Sequence, residues 1–377
     1  MIRLSKSKIG EEEKSAVKNV LDKEYLGMGE EVGVFEKDLS NFFSRTTLCV
    51  SSGTAAVQLA LEACNIGSGD EVLVPSMTYV ATFQAIKATG AEPIACDINE
   101  ETCLIDLKDA LSKLSNNTMA IIPVHYTGGV GNLAELYDFA SKNKLRVIED
   151  AAHAFGTTYK NKLVGSFGDI ACFSFDGIKN ITSGEGGCIV SNDSKVIENI
   201  KNSRLLGVEK DSDKRYNNSR SWNFDVSRQG WRYHMSNIMA AIGIQQLKKI
   251  TKFAIKRKQI ATAYDKLLSS NQNIIFLNRD YKNVVPHIYV VRIKDLIDRD
   301  GLREAMLIEG IEIGVHYNPN HFLSFFKLNK NIVLPVTEKV YKEIISLPIH
   351  PDVSYDDVEF VIQTLKKLLP LYINNAE

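Results

Sequence analysis

The sequence predicts an α/β protein with a mostly parallel central sheet that helices cover on both faces. From about Thr46 to Asp193, short apolar runs alternate with helical stretches, which is the pattern of α/β architecture. The apolar runs are nearly continuous, as expected for strands that are buried on both faces. The 377 residues, 44% of them hydrophobic, provide enough apolar side chains for a large core. In such sheets, ligands bind beyond the carboxyl ends of the strands.

Seven apolar runs are the predicted strands of this sheet. In chain order they read TLCV, EVLVPS, EPIACDI, MAIIPVH, LRVIED, IACFSF and GCIVS. Helical stretches lie between them, among them Thr54–Cys64, Tyr79–Thr89 and Leu133–Lys142.

The chain changes character after Asp193. Leu205–Trp222 is charged and has no hydrophobic period, so it is predicted to be a long exposed loop. A long helical region follows, and the runs VVPHIYVVRI and GIEIGVHYN with a closing helix predict a smaller α+β domain. We place the boundary near residue 250, which gives a large domain of residues 1–250 and a small domain of residues 251–377.

Charge and cysteine usage argue against several classes of partner. Lys and Arg number 45 and Asp and Glu number 46, a balance that fits neither a nucleic-acid footprint nor a polybasic membrane surface. The six cysteines form no CxxC pair, the first residues lack the apolar core of a signal peptide, and no segment approaches a membrane span. We expect a reduced cytoplasmic protein without a metal site, whose partner is a small molecule or a second copy of the chain.

The stretch FSFDGIKNITSGEGG, residues 173–187, contains a candidate nucleophile. An apolar strand ends at Phe175, Lys179 follows, and three glycines come within four residues. A lysine is usually a solvated surface group. The alternative is an amine held in a cleft, with a lowered pKa that lets it attack a carbonyl.

Two further motifs stand at predicted strand ends. Ser51-Ser52-Gly53-Thr54 leads directly into a helix, whose N-terminus could bind an anion, although Ser or Thr could equally be an ordinary helix cap. In VIEDAAHAFG, the carboxylate of Asp150 could hold a cationic ring nitrogen, or it could cap a following helix. His153, taken alone, is more typical of a structural histidine.

The run TGGVGNLA imitates a dinucleotide-binding fingerprint. Gly129-x-Gly131-x-x-Ala134 follows a strand and opens a helix, and an acidic pair lies about 20 residues further on. Glycines at such a turn have ordinary conformational reasons to be there. A nicotinamide-dependent oxidoreductase is therefore the alternative function, but it leaves Lys179 without a role.

Taken together, these motifs fit one cofactor. An anion site, a strand-end carboxylate and a lysine beside glycines, with Ser174 five residues before that lysine, are what pyridoxal 5'-phosphate requires. Its phosphate, ring nitrogen and aldehyde each find a matching group.

The sequence resembles the nucleotide-sugar aminotransferases of the DegT/StrS type almost from end to end. The blocks that carry the resemblance occur in the family's order: IGEEEKSAVKNVL, VSSGTAAVQLAL, DEVLVPSMTYVATFQAI, EDAAHAFG, GDIACFSFDGIKNITSGEGG, MSNIMAAIG, VHYNP and LPIHPDVSYDDVEFVI. It implies the aspartate-aminotransferase (type I) fold and pyridoxal phosphate as cofactor. A related branch of dehydratases has histidine in place of the lysine, so Lys179 favours transamination.

The resemblance also implies roles for individual residues. Lys179 takes the place of the family's Schiff-base lysine, and Asp150 the place of the carboxylate that pairs with the ring nitrogen. The remaining cofactor-binding residues it implies are Gly53, Thr54 and Ser174 at the phosphate, Tyr79 stacked on the ring and His153 near the phenolic oxygen.

The stretch GWRYHMSN departs from the family's common GYNYRMSD. Arg232 stands where the family has an asparagine that reaches the phosphate of the partner subunit, and His234 stands where it has an arginine. An arginine can still bind a phosphate. A homodimer with shared active sites is therefore the expected assembly.

The resemblance further implies a substrate class. We expect L-glutamate to donate an amino group to a nucleotide-linked 4-keto-6-deoxy sugar, with dTDP as the favoured carrier, in surface-polysaccharide (O-antigen) synthesis. Glu185, within the Gly-Glu-Gly-Gly run that follows the lysine, favours carbon 4 over carbon 3 of the sugar. A 3-keto sugar aminotransferase and a non-catalytic sensor that binds the cofactor are the remaining alternatives.

Overall fold

The computed structural model describes residues 1–220, 222–226, 228–327 and 332–374. The helices are α1 (Glu11–Asp22), α2 (Glu30–Phe43), α3 (Gly53–Ala63), α4 (Val80–Ala88), α5 (Leu107–Ser112), α6 (Leu133–Lys142), α7 (Ser194–Ser203), α8 (Asp211–Arg215), α9 (Asn237–Leu268), α10 (Arg299–Ile308), α11 (Pro335–Glu343) and α12 (Tyr355–Leu368). The strands are β1 (Thr47–Val50), β2 (Glu71–Pro75), β3 (Glu92–Cys96), β4 (Thr118–Ile121), β5 (Arg146–Asp150), β6 (Thr158–Tyr159), β7 (Lys162–Leu163), β8 (Ile170–Ser174), β9 (Gly187–Ser191), β10 (Ile274–Phe276), β11 (Tyr289–Ile293) and β12 (Ile344–Leu347). Over the described ranges, none of these helices combines the length and the apolar composition needed to cross a membrane.

Seven strands form the central sheet, in the spatial order β1-β9-β8-β5-β4-β2-β3. Strand β9 runs antiparallel to both of its neighbours, and every other neighbouring pair is parallel. These are the seven strands that the sequence predicts, so the prediction of a mostly parallel sheet is confirmed. All of them except β9 end at the same edge of the sheet, where the predicted functional motifs lie.

Helices cover both faces of this sheet, and the residues of β8 show why. Ile170 and Cys172 pack into one core with α3, α4 and α7, whereas Ala171 and Phe173 pack into another with α2 and α9. Successive side chains of a strand point to opposite faces, so a strand covered on both faces needs apolar residues at every position. The unbroken apolar run of β8 meets that need.

The C-terminal part of the chain forms a smaller α+β unit, as predicted. Strands β10, β11 and β12 make an antiparallel sheet. Apolar residues of α10 and α12 share a core with this sheet and with the last turns of α9. Ile2, at the start of the chain, also pairs with Ile311 of this unit.

The predicted domain boundary near residue 250 falls inside α9, which is continuous over 32 residues. Ile250 and Phe253 belong to the core of the large sheet, and Tyr264 and Leu268 belong to the C-terminal core. The helix therefore links the two cores, and the boundary itself stays a prediction.

The prediction of one long exposed loop over Leu205–Trp222 is wrong in its middle. Helix α8 forms there, and its first two residues, Asp211 and Ser212, are buried. Arg215 binds the carboxylate of Asp211 at 2.5 Å, and buried Arg204 donates to the hydroxyl of Ser212 at 3.3 Å. Charged residues that pair with one another can be buried, and hydrophobic periodicity does not reveal this.

Candidate active site

A cavity of about 510 Å³ opens at the sheet edge where the parallel strands end. The loops that follow β1, β2, β5 and β8 all contribute to its wall, because parallel strands deliver their following loops to one edge. Its lining includes every predicted site residue except Arg232: Gly53, Thr54, Tyr79, Asp150, His153, Ser174 and Lys179. Arg232 is exposed, in the segment that precedes α9.

Lys179 lies in the turn after β8, with its backbone N–H bonded to the carbonyl of Asp176 at 3.1 Å. Its Nζ lies 3.4 Å from Nε2 of His287. Burial lowers the pKa of Lys179 from 10.5 to about 8, and the carboxylates of Asp150 and Asp176 only partly oppose this effect. The lysine is therefore not a solvated surface group. With this lowered pKa, a larger share of its side chains is in the neutral, nucleophilic amine form near neutral pH than for an ordinary lysine.

Asp150 is the last residue of β5, and its side chain turns into the cavity. Its Oδ2 accepts a hydrogen bond from the hydroxyl of Thr82 at 2.7 Å, and its Oδ1 accepts the N–H of Ala152 at 3.2 Å. Residues 151–156 form turns and no helix, so the helix-cap interpretation of Asp150 is wrong. The carboxylate is instead oriented toward the cavity.

Glu149, the neighbour of Asp150, points away from the cavity. It is fully buried and contacts Nε2 of His125 at 2.7 Å and the hydroxyl of Tyr137 at 2.6 Å. Adjacent residues of a strand face opposite sides, so only one member of this acidic pair can serve the site.

The loop from β1 into α3 forms a cradle at the cavity floor. Ser52 caps the helix by accepting the N–H of Ala55 at 3.1 Å, and its carbonyl accepts the N–H of Ala56 at 3.1 Å. The first N–H groups of a helix, here those of Gly53 and Thr54, have no partner within the helix. A Cβ on Gly53 would lie 2.8 Å from Cβ of Ser174, so the close approach of these two segments requires glycine. Capping and anion binding are thus compatible here.

His153 is buried beside the lysine. Its Nε2 lies 3.0 Å from the hydroxyl of Tyr317, and its ring centroid lies 4.5 Å from that of His287. Burial, reinforced by the charge of Lys179, holds the pKa of His153 well below 6.5, so the ring is neutral. Its Nδ1 is buried without a hydrogen-bond partner among the described residues.

Tyr79 stands at the cavity mouth with 58% of its surface exposed. Its ring centroid lies 5.5 Å from that of Tyr317. An aromatic residue of an ordinary core would be buried, so Tyr79 is not a core residue.

Several cavity residues were not predicted from the sequence as site residues. His316 and Tyr317 come from the segment between α10 and α11, and Thr82 comes from the first turn of α4. The available signals were the VHYNP block for the first two and the block DEVLVPSMTYVATFQAI for Thr82. Glu185 also lines the cavity, where burial and then the charge of Asp176 raise its pKa.

The glycines that imitated a dinucleotide fingerprint lie outside this lining. Gly131 has a φ of +60°, which favours glycine, and Asn132 caps α6 by accepting the N–H of Glu135 at 3.4 Å. Ordinary turn geometry therefore accounts for the motif.

Residues 7–366 match the model of the DegT/DnrJ/EryC1/StrS aminotransferase family. The chain belongs to this family. The resemblance drawn from the sequence blocks is thereby confirmed, and the protein is a sugar aminotransferase that depends on pyridoxal phosphate. The nicotinamide alternative is set aside.

Relatives and solved structures match the chain over nearly its whole length. The spore coat polysaccharide biosynthesis protein SpsC of Bacillus subtilis is 33% identical over 371 residues, which are 96% of this chain and 95% of SpsC. The PLP form of Spr1654 from Streptococcus pneumoniae superposes with a TM-score of 0.91 at 28% identity, covering 99% of this chain and 100% of that one. PseC of Helicobacter pylori, an aminotransferase involved in the biosynthesis of pseudoaminic acid, gives a TM-score of 0.89 at 26% identity, covering 98% and 100%. The expected type I fold is confirmed.

The cavity fits pyridoxal phosphate group by group. The helix start at Gly53 with the neighbouring Ser174, the carboxylate of Asp150 and the amine of Lys179 all belong to one lining. The unpartnered Nδ1 of His153 is a further polar atom that a bound ligand could satisfy. These are the groups that the phosphate, ring nitrogen, aldehyde and phenolic oxygen of the cofactor require.

Proposed function

We propose that the protein transfers the amino group of L-glutamate to the ketone of a nucleotide-linked 4-keto-6-deoxy sugar, giving a 4-amino-4,6-dideoxy sugar. The observation that carries this proposal is the amine of Lys179, with its pKa lowered to about 8, in one cavity with the Asp150 carboxylate. Bound pyridoxal phosphate supplies the electron sink that stabilises negative charge at the amine-bearing carbon. The chain's own residues then have to bind, orient and move protons.

Lys179 is the proposed covalent attachment site and proton carrier. As a neutral amine, its Nζ would hold the cofactor covalently through the aldehyde, and the same amine, when free, would accept and return the proton at the amine-bearing carbon of the substrate. A pKa near 8 suits both tasks, because a proton carrier works best when its pKa lies near the working pH.

Asp150 is the proposed partner of the ring nitrogen. Its carboxylate would pair with the protonated ring nitrogen of the bound cofactor, and the hydrogen bond from Thr82 fixes the direction of that carboxylate. Gly53, Thr54 and Ser174 would hold the phosphate, and Tyr79 would stack on the ring. His153, being neutral, can donate to the phenolic oxygen without adding charge.

The preference for carbon 4 rests on the turn that carries Glu185. This residue lines the cavity between Gly184, at φ +82°, and Gly186, at φ +155°. Both backbone conformations favour glycine, so the Gly-Glu-Gly-Gly run fixes where the Glu185 carboxylate enters the site. Amination at carbon 3 by the same machinery is the second candidate.

We assign the product to surface-polysaccharide synthesis, as for an O-antigen sugar, and the carrier to dTDP. The likeness to SpsC, whose name places it in spore coat polysaccharide biosynthesis, supports the first assignment. The balanced charge of the chain fits a small-molecule substrate in the cytoplasm.

We also propose a homodimer in which Arg232 reaches the phosphate site of the partner subunit. Its exposure, and its place outside the cavity lining of its own chain, support this role. Mixed dimers of Lys179→Ala and Arg232→Ala chains should recover activity, since one of their two sites carries both native residues. Inactive mixed dimers, with heterodimer formation verified, would contradict the proposal.

The function is tested by its product. Enzyme, pyridoxal phosphate and glutamate are incubated separately with dTDP-linked 4-keto and 3-keto 6-deoxyhexoses, and NMR locates the carbon that bears nitrogen. Amination at carbon 4 is expected. Amination of the 3-keto sugar alone would move the assignment to the second candidate, and turnover of neither would contradict the proposed dTDP-linked substrate.

The attachment site is tested by trapping. Borohydride should fix cofactor to Lys179 of the native protein, as peptide mass spectrometry would show, and should fix none to Lys179→Ala. Lys162→Ala, at an exposed lysine, is the matched control and should be trapped like the native protein. Cofactor fixed to another lysine in the Lys179→Ala chain would refute the assignment.

A further inference from the structure

We infer that His287 is a positioning residue for Lys179, whose Nε2 accepts a hydrogen bond from the lysine ammonium and holds Nζ in place while the amine is not bound to the cofactor. The contact joins the loop after β8 to the segment that leads into β11, at a distance of 3.4 Å. The functional meaning of this inference rests on the proposed role of Lys179, but the hydrogen bond can be tested without any turnover.

The direction of this hydrogen bond follows from the chemistry of the two groups. An ammonium has three donors and no acceptor, so a neutral imidazole can meet it only with an unprotonated nitrogen. Burial keeps the pKa of His287 well below 6.5, and the charge of Lys179 lowers it further. His287 is therefore neutral, and with the ammonium as donor its Nε2 is the acceptor. This assigns the proton to Nδ1, which is buried and has no hydrogen-bond partner among the described residues.

The backbone and the ring of His287 are both held by neighbouring residues. Arg257 of α9 is buried and donates to the backbone carbonyl of His287 at 3.0 Å and to that of Ile349 at 3.1 Å. The ring itself packs against His153, with centroids 4.5 Å apart. A side chain locked in this way can orient a flexible lysine, which has four rotatable bonds of its own.

Other charged and titratable groups surround the pair. Asp150 and Asp176 favour the ammonium form of Lys179, while Arg257 opposes it. His153 and His316 face the pair as well, and burial lowers the pKa of both below 6.5. Neither histidine changes its protonation state above pH 7. A titration step observed near pH 8 in this region therefore reports on the protonation of Lys179.

The test measures the titration of Lys179 in the protein without added cofactor. Competitive acetylation of lysines between pH 6 and 10, quantified by peptide mass spectrometry, should give a midpoint near 8 for Lys179 in the native protein. His287→Leu removes the acceptor and should lower this midpoint by about half a unit or more, since a hydrogen bond to a charged group stabilises the charged form. His287→Gln keeps an acceptor and should restore most of the difference.

A midpoint that is unchanged or raised in a folded His287→Leu protein would overturn the inference. If that variant does not fold, ¹⁵N NMR of the native protein decides the question, with His287→Gln used to assign the resonance. The Nε2 signal of His287 should step with a midpoint near 8, and the step should vanish in Lys179→Met. A featureless Nε2 titration would overturn the hydrogen bond, whereas failure of borohydride trapping at Lys179 would overturn the proposed function alone.

Discussion

The hydroxyl of Thr82 donates a hydrogen bond of 2.7 Å to the carboxylate of Asp150, and so joins the first turn of α4 to the end of β5. Thr78, just before that helix, contacts Thr82 in turn, with 3.1 Å between the two hydroxyl oxygens. The other carboxylate oxygen of Asp150 accepts a hydrogen bond from the N–H of Ala152, in the turn that follows β5. Two directed bonds thus determine how Asp150 faces the cavity.

Replacing Thr82 tests the orientation of Asp150. Thr82→Val removes the hydroxyl at nearly constant volume, and a hydrogen bond to a charged group contributes roughly 1.5–3 kcal/mol. We expect kcat to fall by about tenfold or more, while Thr82→Ser keeps most of the activity. Steady-state kinetics of both variants measures this effect. If Thr82→Val is as active as the native enzyme, the hydrogen bond from Thr82 to Asp150 does not contribute to catalysis.

The charge of Asp150 is the subject of a second prediction. Asp150→Asn keeps the shape and an oxygen for Thr82 but removes the negative charge that stabilises a protonated ring nitrogen. We expect a folded protein whose kcat is lower by roughly a hundredfold or more. Asp138→Asn, at an exposed aspartate, is the control. Near-native kcat for Asp150→Asn would show that the negative charge of Asp150 is not needed for the reaction.

The central sheet and much of the site could be predicted because their signals are local in the sequence. Gly53, Asp150 and Lys179 each lie at or just after the end of an apolar run. The same short stretch of sequence therefore predicts both a strand and the residue at its carboxyl end that belongs to the site. Since the parallel strands end at one edge, residues that are far apart in sequence then meet without further information.

The other wall of the cavity could not be predicted in this way. His287, His316 and Tyr317 precede or follow elements of the C-terminal unit, and they reach Lys179 only through the packing of that unit on the large sheet. A single buried histidine has no local pattern that separates it from a structural one. The pairs Arg204–Glu36 and Asp211–Arg215 were missed for a related reason, because each residue looks solvated until its partner is known.

The lowered pKa of Lys179 predicts a pH-dependent loss of stability in the protein without cofactor. The folded state holds this amine at a pKa of about 8 against 10.5 for an unperturbed lysine, so the unfolded state binds more protons between these values. The penalty is full below pH 8 and disappears as the pH rises toward 10.5. Lys179→Met should therefore raise the free energy of unfolding at pH 7 by an amount on the order of 2 kcal/mol.

Urea unfolding of the native and Lys179→Met proteins at pH 7 and pH 10 measures this difference. The gain should shrink markedly at pH 10, because the folded state then holds the amine uncharged while the unfolded state, with its pKa near 10.5, has already begun to lose its proton, so most of the penalty is gone. An equal gain at both values would mean that packing, and not the buried charge, sets the difference.

The close approach of Gly53 to Ser174 should make the proposed phosphate site sensitive to a single methyl group. In Gly53→Ala the new Cβ would lie 2.8 Å from Cβ and 3.3 Å from Cα of Ser174, so the helix start or the end of β8 has to move. We expect the affinity for pyridoxal phosphate, measured by absorbance titration, to fall by about tenfold or more, since overpacking of this kind costs roughly 1–3 kcal/mol. Gly27→Ala is the matched control, because its Cβ would meet nothing within 4 Å, and it should bind the cofactor like the native protein. Native affinity in a folded Gly53→Ala protein would show that the start of α3 is not where the phosphate binds.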